Sequence, residues 1–292
     1  MDWVEVVVDA SRESVEAVAN LLIEAGAGGV VEVSPTARAA YLPADDRLEA
    51  RIDRLRRAVA RLAQFGLDPG PATVTCRPVA EEDWAHAWKE YFHPIAIGQR
   101  LIVCPSWRTY EAGPGEIVID LDPGMAFGTG THPTTRLCAR ALEQCVTAET
   151  AVADVGTGSG VLAIAAALLG ARRVVACDID PVAVRVAKEN VAKNGVAQRV
   201  EVVHGSWTRL IDAGVAAGVV VANITAAVIE AMIPDLPRLV APEGRFIASG
   251  IIARREPDVR AQLEGHGWRL LRVEREGEWV ALEAAPPPGR AD

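Results

Sequence analysis

The run Asp154-Val-Gly-Thr-Gly-Ser-Gly160 is suited to holding a ligand rather than to packing. Three glycines in five residues allow a sharp turn and let a ligand approach the backbone closely. The turn follows a strand-like run, Ala151–Val155, and precedes Val161–Leu169, which is all Ala, Leu, Ile and Val. A helix starting there offers unpaired N–H groups and the positive end of its dipole to an anionic group. Asp178 ends a second apolar run, 22 residues beyond Gly156. A carboxylate at the tip of the neighbouring strand can accept hydrogen bonds from both hydroxyls of a ribose. The pair therefore points to a ligand containing a nucleoside.

The glycine spacing narrows the ligand. A dinucleotide loop, G-x-G-x-x-G, would need glycine where Val161 stands. Gly156, Gly158 and Gly160 give G-x-G-x-G instead, which is similar to the first motif of class I S-adenosyl-L-methionine (SAM) methyltransferases. In those enzymes the loop wraps a methionine tail, not a pyrophosphate. Two further segments carry polar groups without metal-ligand spacing. Asp122-Pro-Gly-Met-Ala-Phe-Gly-Thr-Gly-Thr-His132 is a long glycine-rich stretch, and Pro133-Thr134-Thr135 opens a helix directly after it. Loops of about this length inside a domain tend to serve function. Phe127 could cover an apolar part of the ligand, and Thr135 could offer its hydroxyl. Asn223-Ile-Thr-Ala226 ends an apolar strand at the sheet edge where ligands bind. Amino-group methyltransferases carry N/D-P-P-Y/F at this place. Here the Asn is kept and both prolines and the aromatic are absent. A flexible alkyl amine offers no flat face to stack on, so it does not require the ring. His132 is the only base near these residues in sequence.

These residues need a scaffold, and 292 residues suffice for two domains. Residues 1–79 read as β-α-β-β-α-β, a ferredoxin-like α+β domain. Strands are expected at Trp3–Val8, Gly28–Val33, Arg38–Leu42 and Ala72–Val79, with helices over Ser11–Ala25 and Arg47–Phe65. In the second helix Leu48, Ile52, Leu55, Val59 and Leu62 fall on one face, and its arginines lie largely off that face. Residues 80–94 read as a linker helix ended by Pro94. Leu101–Cys104 and Glu116–Leu121 are strand-like. From Ala151 onward strands and helices alternate, which implies a doubly wound parallel sheet. Strands are expected at Ala151–Val155, Arg173–Asp178, Val200–His204, Gly218–Ala222 and Arg245–Ser249. Helices are expected over Gly160–Leu169, Pro181–Asn194, Thr208–Ala213 and Thr225–Leu239. Trp268–Arg275 and Glu278–Glu283 must form an antiparallel hairpin around Gly277. The last residues, 286–292, with their prolines, read as a disordered tail.

Composition excludes several classes. No apolar run reaches the roughly 18–20 residues of a membrane span, and no leader pattern is evident, so the expected location is cytoplasmic. The five cysteines are scattered without C-x-x-C, which suggests neither a disulfide framework nor a zinc site. A net charge of −9 argues against broad nucleic-acid binding and is compatible with a basic protein partner. A monomer is the expected state, and no metal is expected.

Taken together, Leu121–Thr135, Asp154–Ala166, Asp178-Ile-Asp-Pro181, Asn223-Ile-Thr-Ala226 and the separate head domain resemble the PrmA family of ribosomal-protein methyltransferases. The resemblance implies a class I methyltransferase domain over 95–285 with a seven-stranded sheet, and a head domain that recognises substrate. It implies transfer of methyl groups from SAM to lysine ε-amines and the N-terminal α-amine of the eleventh large-subunit ribosomal protein. By the same resemblance, SAM contacts fall on Thr135, Gly156, Asp178 and Asn223. Phe127, Gly128, Thr157, Gly158 and Gly160 are neighbours in that site. Asn223 and the backbone carbonyl of Ile224 would orient the amine. His204-Gly-Ser-Trp207 stands where many class I enzymes have Gly-Asp, which leaves the adenine contacts open. Two other readings stay open: methylation of RNA or of a small-molecule amine, and a non-catalytic, SAM-binding ribosome assembly factor.

Overall fold

The computed structural model describes residues 3–27, 29–65, 68–79, 92–122 and 132–287. The chain divides into two compact units, Met1–His93 and Pro94–Asp292.

The first unit contains β1 (Trp3–Asp9), α1 (Val15–Glu24), β2 (Val30–Ser34), β3 (Ala37–Pro43), α2 (Leu48–Ala60) and β4 (Thr73–Val79). The strands form one sheet in the order β2-β3-β1-β4 with every pair antiparallel, which is the ferredoxin-like arrangement. Alternate β1 residues Val4, Val6 and Val8 share a core with Leu22 of α1 and with Ile52, Leu55 and Val59 of α2. Strand and helix periodicity place each set on one face. The structure shortens α1 relative to the expected Ser11 start. The hydroxyls of Ser11 and Ser14 both donate to the Asp68 carbonyl at 2.5 Å; Ser11 Oγ also accepts from Ser14 N–H at 3.2 Å, and Ser14, the N-cap residue, makes no side-chain cap bond. The helical stretch expected through Phe65 stops at Ala60 and continues as a 3-10 turn, Leu62–Phe65.

The second unit opens with a small sheet of β5 (Ile95–Ala96), β6 (Leu101–Cys104) and β7 (Ile117–Asp120). It continues with α3 (Pro133–Cys145), β8 (Ala151–Val155), α4 (Val161–Leu168), β9 (Arg173–Asp178), α5 (Pro181–Lys193) and β10 (Val200–His204). Then follow α6 (Trp207–Asp212), β11 (Ala217–Asn223), α7 (Ala226–Met232), α8 (Leu236–Leu239) and β12 (Val240–Ile252). The unit ends with α9 (Glu256–Gly265), β13 (Arg269–Glu276) and β14 (Trp279–Ala285). The large sheet has the order β10-β9-β8-β11-β12-β14-β13. The first five strands are parallel, and β14 runs antiparallel to both of its neighbours. Successive residues of β8 and β9 enter opposite cores: Val152, Val174 and Ala176 on one face, Ala153, Val175 and Cys177 on the other. Burial on both faces is why these strands read as unbroken apolar runs. The chain leaves β8 in one direction across the sheet and reaches β11 on its other side. The carboxyl ends of β8 and β11 therefore form the switch point where open α/β sheets bind ligands.

One further expectation is corrected, and one helix is added. The single helix expected over Thr225–Leu239 is broken into α7, a 3-10 turn at Ile233–Asp235 and α8. Pro234 and Pro237 lack the N–H that a continuous helix needs there. Helix α9 was not anticipated at all; Val259 and Leu263 are its buried anchors. The linker segment 80–91, the loop segment 123–131 and residues 288–292 lie outside the described residues.

Candidate active site

The glycine loop is built on β8 and held from β9. Gly156, Gly158 and Gly160 take φ of 73°, 56° and 85°, a region that strains any residue with a Cβ. The amides of Gly156 and Thr157 both donate to the Cys177 carbonyl, at 2.9 and 3.0 Å. Gly158 N–H donates to Asp178 Oδ2 at 2.9 Å, and Asp180 N–H donates to Asp178 Oδ1 at 2.9 Å. Both carboxylate oxygens are thus fixed by backbone, and each keeps a second lone pair for an outside donor. The turn beyond it is held as well. Gly205 N–H donates to the Asp178 carbonyl at 2.9 Å, and His204 Nε2 lies 3.0 Å from the Ile179 carbonyl. Ile179 itself is 74% exposed, an unusual place for a large apolar side chain at a sheet edge.

Beneath the loop lies Asp154, fully buried. Its Oδ2 accepts from Thr157 Oγ at 2.6 Å and from Ala163 N–H at 3.1 Å. The second bond satisfies an amide in the first turn of α4, whose N-cap residue, Gly160, has no side chain to do so. Asp154 Oδ1 is buried without a hydrogen-bond partner among the described residues. Burial pushes this carboxyl up to about 6, against the pull of its two hydrogen bonds. Sequence reasoning gives Asp154 no separate role in the site. Its place as the first residue of the glycine motif was the available signal.

The Asn223 box meets the loop from β11. Asn223 Nδ2 lies 3.5 Å from Thr135 Oγ1, at the outer limit of a hydrogen bond, across 88 residues of sequence. Thr135 is fully buried in the first turn of α3. Asn223 Oδ1, like Asp154 Oδ1, is buried and has no partner among the described residues. Ile224 N–H donates to the Ser249 carbonyl at 3.1 Å.

Helix α3, which carries Thr135, is braced by the terminal hairpin. Arg136 Nε and Arg140 Nη2 each donate to Glu276 at 2.7 Å, and Trp279 meets the His132 ring edge-on at 4.6 Å. His132 caps this helix: its Nδ1 accepts from Thr134 N–H at 3.4 Å and lies 2.7 Å from Thr134 Oγ1. A neutral imidazole that accepts at Nδ1 carries its proton on Nε2. The Nδ1 side of the ring is therefore turned to the start of α3.

The sequence pattern of the family described as "Ribosomal protein L11 methyltransferase (PrmA)" matches residues 2–286. The chain belongs to the PrmA family. A PrmA relative from Pelotomaculum thermopropionicum, named ribosomal protein L11 methyltransferase, is 46% identical over 97% of this chain and 99% of its own length. Another with the same name, from Desulforamulus reducens, is 43% identical over 96% of this chain and 98% of its own. The crystal structure of a ribosomal protein L11 methylase from Lactobacillus delbrueckii subsp. bulgaricus is 34% identical. It covers 67% of this chain and 100% of that one, with a TM-score of 0.63.

Of the residues that the PrmA resemblance implied, Gly156, Thr157, Gly158, Gly160 and Asp178 form one cradle, and Thr135, Asn223 and Ile224 form its other wall. Phe127 and Gly128 lie outside the described residues. A cavity of about 830 Å³ elsewhere in this unit, lined by Arg172, Arg199 and Arg209 among others, includes none of them. It sits at the amino ends of β8–β11, opposite the edge at which open sheets bind ligands. Among the described residues no group of His, Cys, Asp and Glu could hold a metal ion, and no helix is long and apolar enough to cross a membrane.

Proposed function

We propose that this protein transfers methyl groups from SAM to amines of ribosomal protein L11, namely lysine ε-amines and the N-terminal α-amine. One observation carries the reading. A glycine cradle with its ribose-ready carboxylate adjoins an Asn whose amide oxygen is buried and unpartnered. The protein substrate follows from the name that the relatives share. A ribosomal-protein substrate supports a cytoplasmic location.

The side chains fit SAM group by group. Asp178 would take the ribose hydroxyls with its two remaining lone pairs. The exposed face of Ile179 suits an adenine ring. The buried charge of Asp154 and the loop amides suit the amino and carboxylate ends of the methionine tail. Thr135 joins that wall from α3. When bound, SAM supplies a sulfonium-activated methyl group and a nearby positive charge.

This chain's own residues then have to present a neutral amine. An ordinary lysine, with a pKa near ~10.4, costs about 4–5 kcal/mol to deprotonate at neutral pH. A partly dry pocket beside a positive charge lowers that cost by disfavouring the ammonium form. Asn223 Oδ1 and the Ile224 carbonyl would accept the amine's N–H groups and turn its lone pair toward the methyl. Positioning is the main contribution asked of the protein. Bulk water or buffer is the sink for the proton.

The deciding experiment incubates the protein with isotopically labelled SAM and L11, followed by intact-mass analysis and peptide mapping. Labelled methyl groups on lysines and on the N-terminus are expected. Tight SAM binding with no label on L11 would instead favour an assembly factor. Label on RNA alone would favour the nucleic-acid reading.

A further inference from the structure

The cofactor loop and the acceptor box meet at one side chain, Ile224. A methyl group built onto Gly156 would overlap Ile224 Cγ2, so the isoleucine fills the space that the glycine leaves open. On its other side a Cβ at Gly250 would overlap the backbone of Ile224, its carbonyl oxygen closest. Both glycines have positive φ, 73° and 81°. Ile224 is therefore gripped between the SAM loop and the bulged end of β12, and the remainder of its side chain packs on the core beneath.

The two gripped parts have separate anchors. The loop is tied by Gly156 and Thr157 to Cys177, Gly158 to Asp178, and Thr157 to Asp154. The box is tied by the pairing of Asn223 with Ser249, Ile224 N–H on the Ser249 carbonyl, the Thr225 carbonyl on the first turn of α7, and the long Asn223–Thr135 contact. We infer that the Ile224 side chain is a positioning residue. Its γ-methyl, seated on Gly156, sets the Ile224 carbonyl at a fixed distance from the cofactor loop, and Gly250 leaves the room that the carbonyl oxygen occupies. The inference rests on the amine-acceptor reading above. The acceptor is a backbone atom, so no side-chain substitution at 224 removes it; a substitution can only misplace it. Because the loop keeps its other ties, misplacement affects the transfer step more than SAM binding.

Three variants test this. Ile224→Val keeps a γ-methyl on Gly156, and Ile224→Ala removes it. Ile224→Ala is expected to lower kcat for L11 methylation at least about tenfold, the scale of a small misplacement of reacting groups. Its SAM dissociation constant should stay within about threefold of the parent, a split that general unfolding would not produce. Ile224→Val, the conservative variant, should recover most of the kcat that Ile224→Ala loses. Hydrogen–deuterium exchange of the SAM-free proteins gives a second readout. Exchange over residues 223–226 should quicken in Ile224→Ala and remain unchanged in Ile224→Val. Gly250→Ala, which crowds the same carbonyl, should reproduce the kcat loss with SAM affinity retained. It also decides the matter should Ile224→Ala fail to fold. Parental kcat and parental exchange in Ile224→Ala would overturn the inference, as would equal damage in the valine variant. If the parent protein methylates nothing, the acceptor reading fails, and the exchange data still decide whether Ile224 ties the box to the loop.

Discussion

At the residue scale, Asp154 and Asn223 each expose a consequence of burial without full pairing. Burial raises the Asp154 carboxyl from 3.8 to about 6, so the folded chain holds this proton more tightly than the unfolded chain does. That contribution to stability is complete below pH ~4 and is lost as pH rises through about 6. The folded protein near neutrality thus carries a disfavoured charge, which a cationic ligand group relieves. SAM affinity should accordingly fall as pH drops through 6. With about a quarter of the carboxyl ionised at pH ~5.5, calorimetry should find roughly fourfold weaker binding there than at pH ~7.5. Asp154→Asn should flatten that dependence. For Asn223 the expectation concerns the transfer step. Asn223→Ala removes the amide oxygen that faces no partner among the described residues, and kcat should fall about 10²-fold. Single-turnover rates separate this from any change in SAM binding, and a rate within threefold of the parent would remove Asn223 from the acceptor.

At the scale of elements, the site depends on α3 being held at a fixed height above the sheet. Burial alone would raise the Glu276 carboxyl, but Arg136 and Arg140 outweigh it and hold it below the usual carboxylate range. Such a group stabilises the fold above the unfolded pKa, and the contribution is lost as pH falls below about 4. These side chains are still about a quarter exposed, so screening limits the effect. Glu276→Gln should cost about 1 kcal/mol in urea unfolding at pH 7 and much less at pH ~4. Because Thr135 sits beside Arg136, a modest rise in the KM for SAM should accompany the loss. The strands and helices that carry this machinery were mostly legible in the sequence. Ala151–Val155, Arg173–Asp178 and Val200–His204 appear with the expected bounds, since burial on both faces leaves unbroken apolar runs between turn residues. Helix α9 was not legible: only Val259 and Leu263 mark its buried face, amid charged residues. The Asn223–Thr135 approach had a partial signal, because Thr135 opens the helix after the glycine-rich stretch and Asn223 ends a strand at the ligand edge of the sheet. The clamp from Glu276 to α3 had none, because partners about 140 residues apart leave no trace in local spacing.

At the scale of the whole molecule, the division at His93 and Pro94 separates a ferredoxin-like unit from the one that holds every proposed SAM contact. We propose that the first unit selects the substrate. A fragment covering residues 94–292 should then bind SAM as tightly as the full chain by calorimetry and lose most of its activity on L11. Full activity in that fragment would remove the recognition role from the first unit. We also propose a monomer, which sedimentation at working concentrations checks directly.

The order of the last two strands adds a constraint in time. β14 is made after β13, yet it pairs between β13 and β12. During synthesis, therefore, the edge of β12 stays bare and β13 has no strand to pair with until residues 279–285 have emerged. Val280 and Leu282 of that last strand belong to the same core as Val155 and Cys177 beside the glycine loop. The nascent protein can thus form its cofactor loop early, but it cannot seal the core beneath that loop until its last strand arrives.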